Sequence, residues 1–199
     1  MNSASPTTRL VPSDLMSLEQ YARGRAEFRG RVLAHKRDRT LQCGPNATLC
    51  FEDRLTVQYQ VQEMLRIERI FEPAAIQAEL DAYTPLIPGG DDLRATLLLE
   101  YPDAAQRRAA LAALGGIERA VYAEVAGHGR AATHADEDRP RGNDTRTAAV
   151  HFLRFVFSPA QVAALRGGAT LAFGIDDARM PARVDASPET HAALLADFA

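Results

Sequence analysis

The chain has 199 residues, 46% of them hydrophobic, and a formal net charge of −3, enough apolar material for one domain with its own core. That charge gives no overall basic field for nucleic acid or an anionic membrane, and no apolar run approaches the ~20 residues of a membrane span. Two cysteines make no disulfide framework, the first residues lack the charged-then-apolar layout of a secretory signal, and a cytoplasmic protein is expected.

Residues 1–8 are polar and are expected to form a disordered tail, leaving residues 9–199 as a single domain. Ser17 and Gln20 make a capping box that opens a helix running to about Arg37. Its apolar stripe is Leu18, Tyr21, Phe28, Val32 and Leu33, with Arg25 and Arg29 set in the middle of it. The basic run HKRDR, residues 35–39, suits the negative pole of a helix end and is expected to be exposed. Residues 41–51, LQCGPNATLCF, read as a hairpin that places Cys43 opposite Thr48 and Cys50 opposite Leu41, so the thiols are diagonal neighbours.

Residues 51–72, FEDRLTVQYQVQEMLRIERIFE, read as a long central helix of about five turns, capped by Asp53 and stopped by Pro73. Gln58, Gln62, Arg66 and Arg69 fall in one stripe roughly 80° wide. The remaining arc is apolar and wide enough for a helix covered on most sides, yet Gln60, Glu63 and Glu68 lie inside it. A buried carboxylate or amide needs partners, because leaving it unpaired costs on the order of 1–3 kcal/mol. Pairing Glu63 or Glu68 with Arg25 or Arg29 satisfies both helices together. Such a network serves packing alone or a site, and ion-pair networks of either kind perturb pKa values.

Further on, residues 73–83 read as a short helix, residues 84–92 as a loop, and residues 94–101 as a strand. Asp103 and Gln106 cap the next helix, which ends at Gly115 and Gly116. Residues 120–126 and 130–135 form a hairpin around Gly127, His128 and Gly129, and residues 136–147 are a polar loop. Residues 147–157, TAAVHFLRFVF, have two apolar faces, as expected of a strand covered on both sides, with His151 and Arg154 pointing to opposite faces. Ser158 and Gln161 box another short helix, residues 169–175 are the last expected strand, and Ser187 with Pro188 opens a final helix. The order of elements gives an α+β fold, a mostly antiparallel sheet with helices packed on it.

Five stretches carry a resemblance: DLMSLEQYARGRAEFR (residues 14–29), residues 51–72, ELDAYTPLIP (79–88), LLLEYPD (97–103) and AVHFLRF (149–155). They span most of the chain and resemble an uncharacterised bacterial family, a domain of unknown function often encoded beside a rubrerythrin and a heterodisulfide-reductase-like iron–sulfur protein. That setting implies a role near peroxide or sulfur redox chemistry, in oxidative stress, with one of those proteins as partner. The resemblance carries no catalytic residues, and Cys43 and Cys50 lie outside its pattern.

No phosphate loop, nucleophile elbow, zinc-spaced Cys/His set or EF-hand loop is present. The residues support a pocket for a small anionic ligand lined by Gln58, Gln62, Arg66 and Arg69, with Arg25 or Arg29 adding charge. Guanidinium groups suit carboxylate or phosphate through paired hydrogen bonds, although 22 of the 23 basic residues are arginine, which weakens any single arginine as a signal. If chemistry occurs there, His151 is the candidate proton carrier and Glu63 the candidate base. Two alternatives stand beside this reading. One is a non-catalytic assembly partner of a redox protein. The other is a metal site gathering Glu63, Glu52 or Glu100 with His151 or His35, for which no residue spacing asks.

Overall fold

The computed structural model describes residues 9–135 and 147–199; the tail at residues 1–8 and nearly all of the polar loop at 136–147 lie outside them. The fold is α+β. Among the described residues nine strands form two antiparallel sheets. The five-stranded sheet has the order β1-β2-β3-β7-β6 and the four-stranded sheet the order β5-β4-β8-β9. The strands are β1 (Thr40–Gln42), β2 (Ala47–Glu52), β3 (Asp92–Leu99), β4 (Val121–Val125), β5 (Gly129–Arg130), β6 (Ala132–Ala135), β7 (Val150–Val156), β8 (Leu171–Ile175) and β9 (Ala182–Asp185).

The sheets face each other. Leu49 and Phe51 of β2, Leu93, Ala95 and Leu97 of β3, and Leu153 and Phe155 of β7 meet Val121, Ala123, Leu171 and Phe173 of the other sheet in one buried cluster. Phe173 is the hub, its ring centroid 4.8 Å from Phe51 and 5.5 Å from Phe155. Alternation along β3 and β7 puts every second side chain into this core, while Arg94, Thr96, Phe152 and Arg154 sit half-buried on the outer face. β7 is therefore fully covered on one side only. The expected hairpin after β4 is cut in two: β5 pairs with β4, but β6 leaves to pair with β7, the chain changing sheets at the buried Ala131. β9 is a further strand beyond the one expected to be last.

Helices α1 (Leu18–Arg37), α2 (Arg54–Glu68) and α3 (Pro73–Tyr83) form their own layer. Ser17 and Gln20 cap α1 reciprocally, and Asp53 and Thr56 do the same for α2. The helix expected over residues 51–72 is shorter. Phe51 and Glu52 belong to β2, and Arg69 turns left-handed (φ 55°) to end the helix before Pro73 acts. α2 and the link after it are also less enclosed than their composition suggests, since Ile67 is 61% and Phe71 69% exposed. Two small clusters hold this layer: Leu10, Val57, Val61, Leu65, Leu80 and Ile87 between α2 and α3, and Tyr21, Phe28 and Val32 on α1.

Helices α4 (Ala104–Ala113), α5 (Pro159–Arg166) and α6 (Pro188–Leu195) are short and cover the sandwich. Phe198, just past α6, packs edge-on against Phe157 with centroids 5.1 Å apart. Gly90 takes φ 104°, and a Cβ there would come within 2.9 Å of Ala199, whose N–H donates to the Gly90 carbonyl. Gly90 of the 84–92 segment thus admits Ala199. No helix among the described residues is long and apolar enough to cross a membrane.

Candidate functional site

The antiparallel packing of α1 on α2 brings Glu63 to the centre of a polar group. Arg25 grips its carboxylate with two hydrogen bonds, Nε to Oε1 at 2.7 Å and Nη2 to Oε2 at 2.8 Å. The Tyr21 hydroxyl donates to Oε1 at 2.6 Å, and Arg66 adds longer bonds of 3.3 and 3.2 Å. The Glu63 side chain is 14% exposed, against 36% for Arg25 and 40% for Arg66. The Arg25 fork, outweighing desolvation and aided by Tyr21 and Arg66, holds the Glu63 carboxyl down at about 2. Burial and the adjacent carboxylate push the Tyr21 phenol up. A carboxylate so firmly ionised is a poor proton acceptor at neutral pH.

The other residues expected beside it go elsewhere. Gln62 is fully buried and turned toward the segment before α1: its Oε1 accepts from the Met16 N–H and its Nε2 donates to the Met16 carbonyl, both at 3.0 Å. Gln58 donates to the Asp14 carbonyl at 2.6 Å. These amides imitate a strand partner for the incoming chain. Arg29 and Arg69 are exposed. The structure brings Arg25, Arg66 and Glu63 together and leaves Gln58, Gln62, Arg29 and Arg69 outside that group.

His151 lies on the core side of β7, 4% exposed. Its Nε2 is 2.6 Å from Thr147 Oγ1 and 3.9 Å from Glu118 Oε2, while the same hydroxyl lies 3.3 Å from Glu118. In a nucleophilic triad the imidazole stands between hydroxyl and carboxylate. Here the hydroxyl stands between the other two, so the carboxylate does not orient the ring for proton transfer.

The carboxylates and histidines weighed as metal ligands do not converge. Glu52 accepts from Thr56 and Thr96, Glu100 from Thr48, and His35 contacts Asp53. Among the described residues no three His, Cys, Asp or Glu side chains gather at a point that could hold a metal ion. The thiols also stand apart. Cys43 lies beside Ala47 at the turn, its N–H bonded to the Ala47 carbonyl, and Cys50 pairs with Thr40. That register is one residue from the expected one, and such a slip moves side chains to the other face: Cys43 is on the core face with Leu41 and Leu49, Cys50 on the outer face. Burial raises both thiols, Cys43 to about 11, away from the thiolate range of reactive cysteines.

A second polar cluster was not expected. Arg39, read as part of an exposed basic run, is 2% exposed. It shares the alternation of Leu41 and Cys43, both buried, and that parity was the available signal. Its guanidinium donates to the carbonyls of Ala193 (2.9 Å), Glu52 (3.2 Å) and Phe51 (3.4 Å) and to the Asp197 carboxylate, and its Nε lies 3.6 Å from Asp53. Burial drives the Asp197 carboxyl up to about 6 in spite of Arg39. Burial also works against the charge on Asp53, but Arg39, the Thr56 N–H and His35 outweigh it and hold that carboxyl low.

Two surface hollows, of about 530 and 520 Å³, lie apart from both clusters. The first is lined by Leu98, Tyr101, Pro102, Arg107 and Val150, the second by Asp91, Phe157, Val162, Arg166 and Ala199.

Residues 9–198 match the model of the DUF3501 family, described as a protein of unknown function. A crystal structure of a novel protein of unknown function from Burkholderia pseudomallei K96243 is 44% identical, covering 96% of this chain and 99% of that one with a TM-score of 0.91. No curated protein matches the chain.

Proposed function

The chain belongs to the DUF3501 family, and from that premise we propose that it is a non-catalytic partner that docks on a redox protein in the cytoplasm. The observation that carries this reading is the mutual satisfaction of the polar groups on α2. Gln58, Gln62 and Glu63 are each met by groups of the protein itself, which supports a structural use for side chains that a substrate site would leave available. The outer end of the same helix and the link after it present Ile67 and Phe71 to solvent, among the charged and exposed Arg66, Glu68, Arg69 and Glu72. An apolar pair in a polar rim has the composition of a small protein interface. The resemblance to a family encoded beside a rubrerythrin and an iron–sulfur protein supports a non-haem iron partner. The test is co-purification of tagged protein from its native host, with iron and protein mass analysis. Wild type retains an iron protein and Phe71→Asp loses it. Retention of no iron protein, or equal retention by the variant, overturns the proposal.

A second reading keeps the small anionic ligand. Arg25 and Arg66 flank Glu63 with partly exposed guanidiniums, and Arg29 lies one turn from Arg25. Inorganic phosphate at millimolar concentration would then raise the melting temperature of wild type but not of Arg66→Ala. Equal melting curves with and without phosphate end this reading.

A further inference from the structure

Arg39 joins four parts of the molecule at one buried point. It follows α1 directly, touches the carbonyls at the end of β2, lies near Asp53 at the cap of α2, and holds both the Ala193 carbonyl of α6 and the Asp197 carboxylate just beyond it. The charges do not balance. Two carboxylates, Asp53 and Asp197, face one guanidinium, with side-chain exposures of 17%, 8% and 2%. The fourth group is His35 of α1, whose Nε2 contacts Asp53 Oδ2 and which is charged only when protonated. Without a proton on His35 or Asp197 the cluster carries an excess negative charge in a poorly hydrated place, which is costly.

We propose that this cluster is a proton-linked latch on α6 and the residues after it, closed when the cluster holds one proton and loosened when it loses that proton. The segment is also held by Leu194 of α6 in the sandwich core, by Phe198 against Phe157, by Arg166 of α5 on the carbonyls of Phe198 and Ala199, and by the Ala199 N–H on the Gly90 carbonyl. Loosening it would uncover the apolar seat of Phe198 at the edge of the sandwich. The groups that face Asp197 are Arg39 from the end of α1, His35 within α1 and Asp53 from the cap of α2. Of these, Arg39 and His35 favour its charge and Asp53 opposes it, with burial the largest influence.

The sign follows from linkage. A carboxyl titrating at about 6 in the closed form, against an ordinary 3.8, binds its proton more tightly when closed. Its contribution to closure is complete below the ordinary value and is lost as the pH rises through 6. The latch is therefore tightest in acid and slackens as the pH rises from 3.8 through about 6.

The experiment is amide hydrogen exchange of residues 190–199 in the full chain between pH 5 and 8, corrected for the intrinsic pH dependence of exchange. In wild type the opening constant of this segment rises about 10-fold across the range, while the strands of the core do not change. Asp197→Asn, which keeps an acceptor for Arg39 without the charge, flattens the dependence. An equal rise in the variant, or no rise in wild type, overturns the latch. Carboxyl NMR of wild type gives a readout that no variant can compromise: the Asp197 titration midpoint coincides with that of opening, and a titration complete below pH 4.5 refutes the proposal.

Discussion

The two-sheet sandwich and the three-helix layer reach order by different means. The sandwich has one continuous apolar cluster, crossed by the Phe51, Phe155 and Phe173 rings. The helical layer has two small clusters, and polar staples do much of the remaining positioning: Gln62 on Met16, Gln58 on Asp14, Arg25 on Glu63. Apolar burial is strong and non-directional, so it fixes compactness. Hydrogen bonds of net ~1 kcal/mol add little individually but penalise the wrong register. The sandwich draws on the first effect and the helices on the second.

The largest test of this contrast is Phe173→Ala. Emptying the hub of the sandwich should cost about 3–5 kcal/mol, read by urea melting, because the surrounding strands relax only in part. A loss under about 1 kcal/mol would mean that the core is not continuous through this ring. Next comes Gln62→Ala, which strands the Met16 N–H and carbonyl beside a vacated space and should cost about 1–3 kcal/mol. Loss of protection at residues 14–18, with the strands unaffected, would show that the effect is local.

Glu63→Gln should cost about 1–2 kcal/mol at pH 7, discounted because both arginine partners are partly exposed. Its pH dependence runs opposite to that of the Asp197 latch. A carboxyl held at about 2, below its ordinary 4.5, stabilises the fold above 4.5, and this contribution is lost as the pH falls through 2. The gap between wild type and variant should therefore close in strong acid, and a gap constant from pH 7 to pH 2 would contradict the staple. The smallest effect on stability is expected at Phe71→Asp, within about 0.5 kcal/mol, since its side chain stands mostly in water. A larger loss would place Phe71 in the packing of the layer.

How far the sequence could be read follows the same division. The capping boxes at Ser17 and Ser158, the cap at Asp53, the proline-led α3 and α5, and the alternation in β7 were legible because each depends on neighbours in sequence. The Arg25–Glu63 pair was legible in part, as one of the pairings left open between Arg25 or Arg29 and Glu63 or Glu68. What escaped was set by tertiary contact. The end of α2 depends on a left-handed Arg69 rather than on Pro73, and periodicity cannot show that β6 deserts its hairpin partner. Arg39 was hidden by its charged neighbours, since HKRDR looks solvated as a run while one residue in it turns inward. Gln62 stood among the expected site residues because it shares the polar stripe of Gln58, Arg66 and Arg69, but its partner proved to be the Met16 backbone.

The sheet change at Ala131 bears on how the protein folds. A stretch of seven residues supplies the edge strand of one sheet as β5 and of the other as β6, so the borders of the two sheets are joined through a single residue. The two halves of the sandwich are thereby tied into a single cooperative event, and its rate is governed by assembling partners far apart along the chain, such as Leu97 and His151, rather than by helix nucleation.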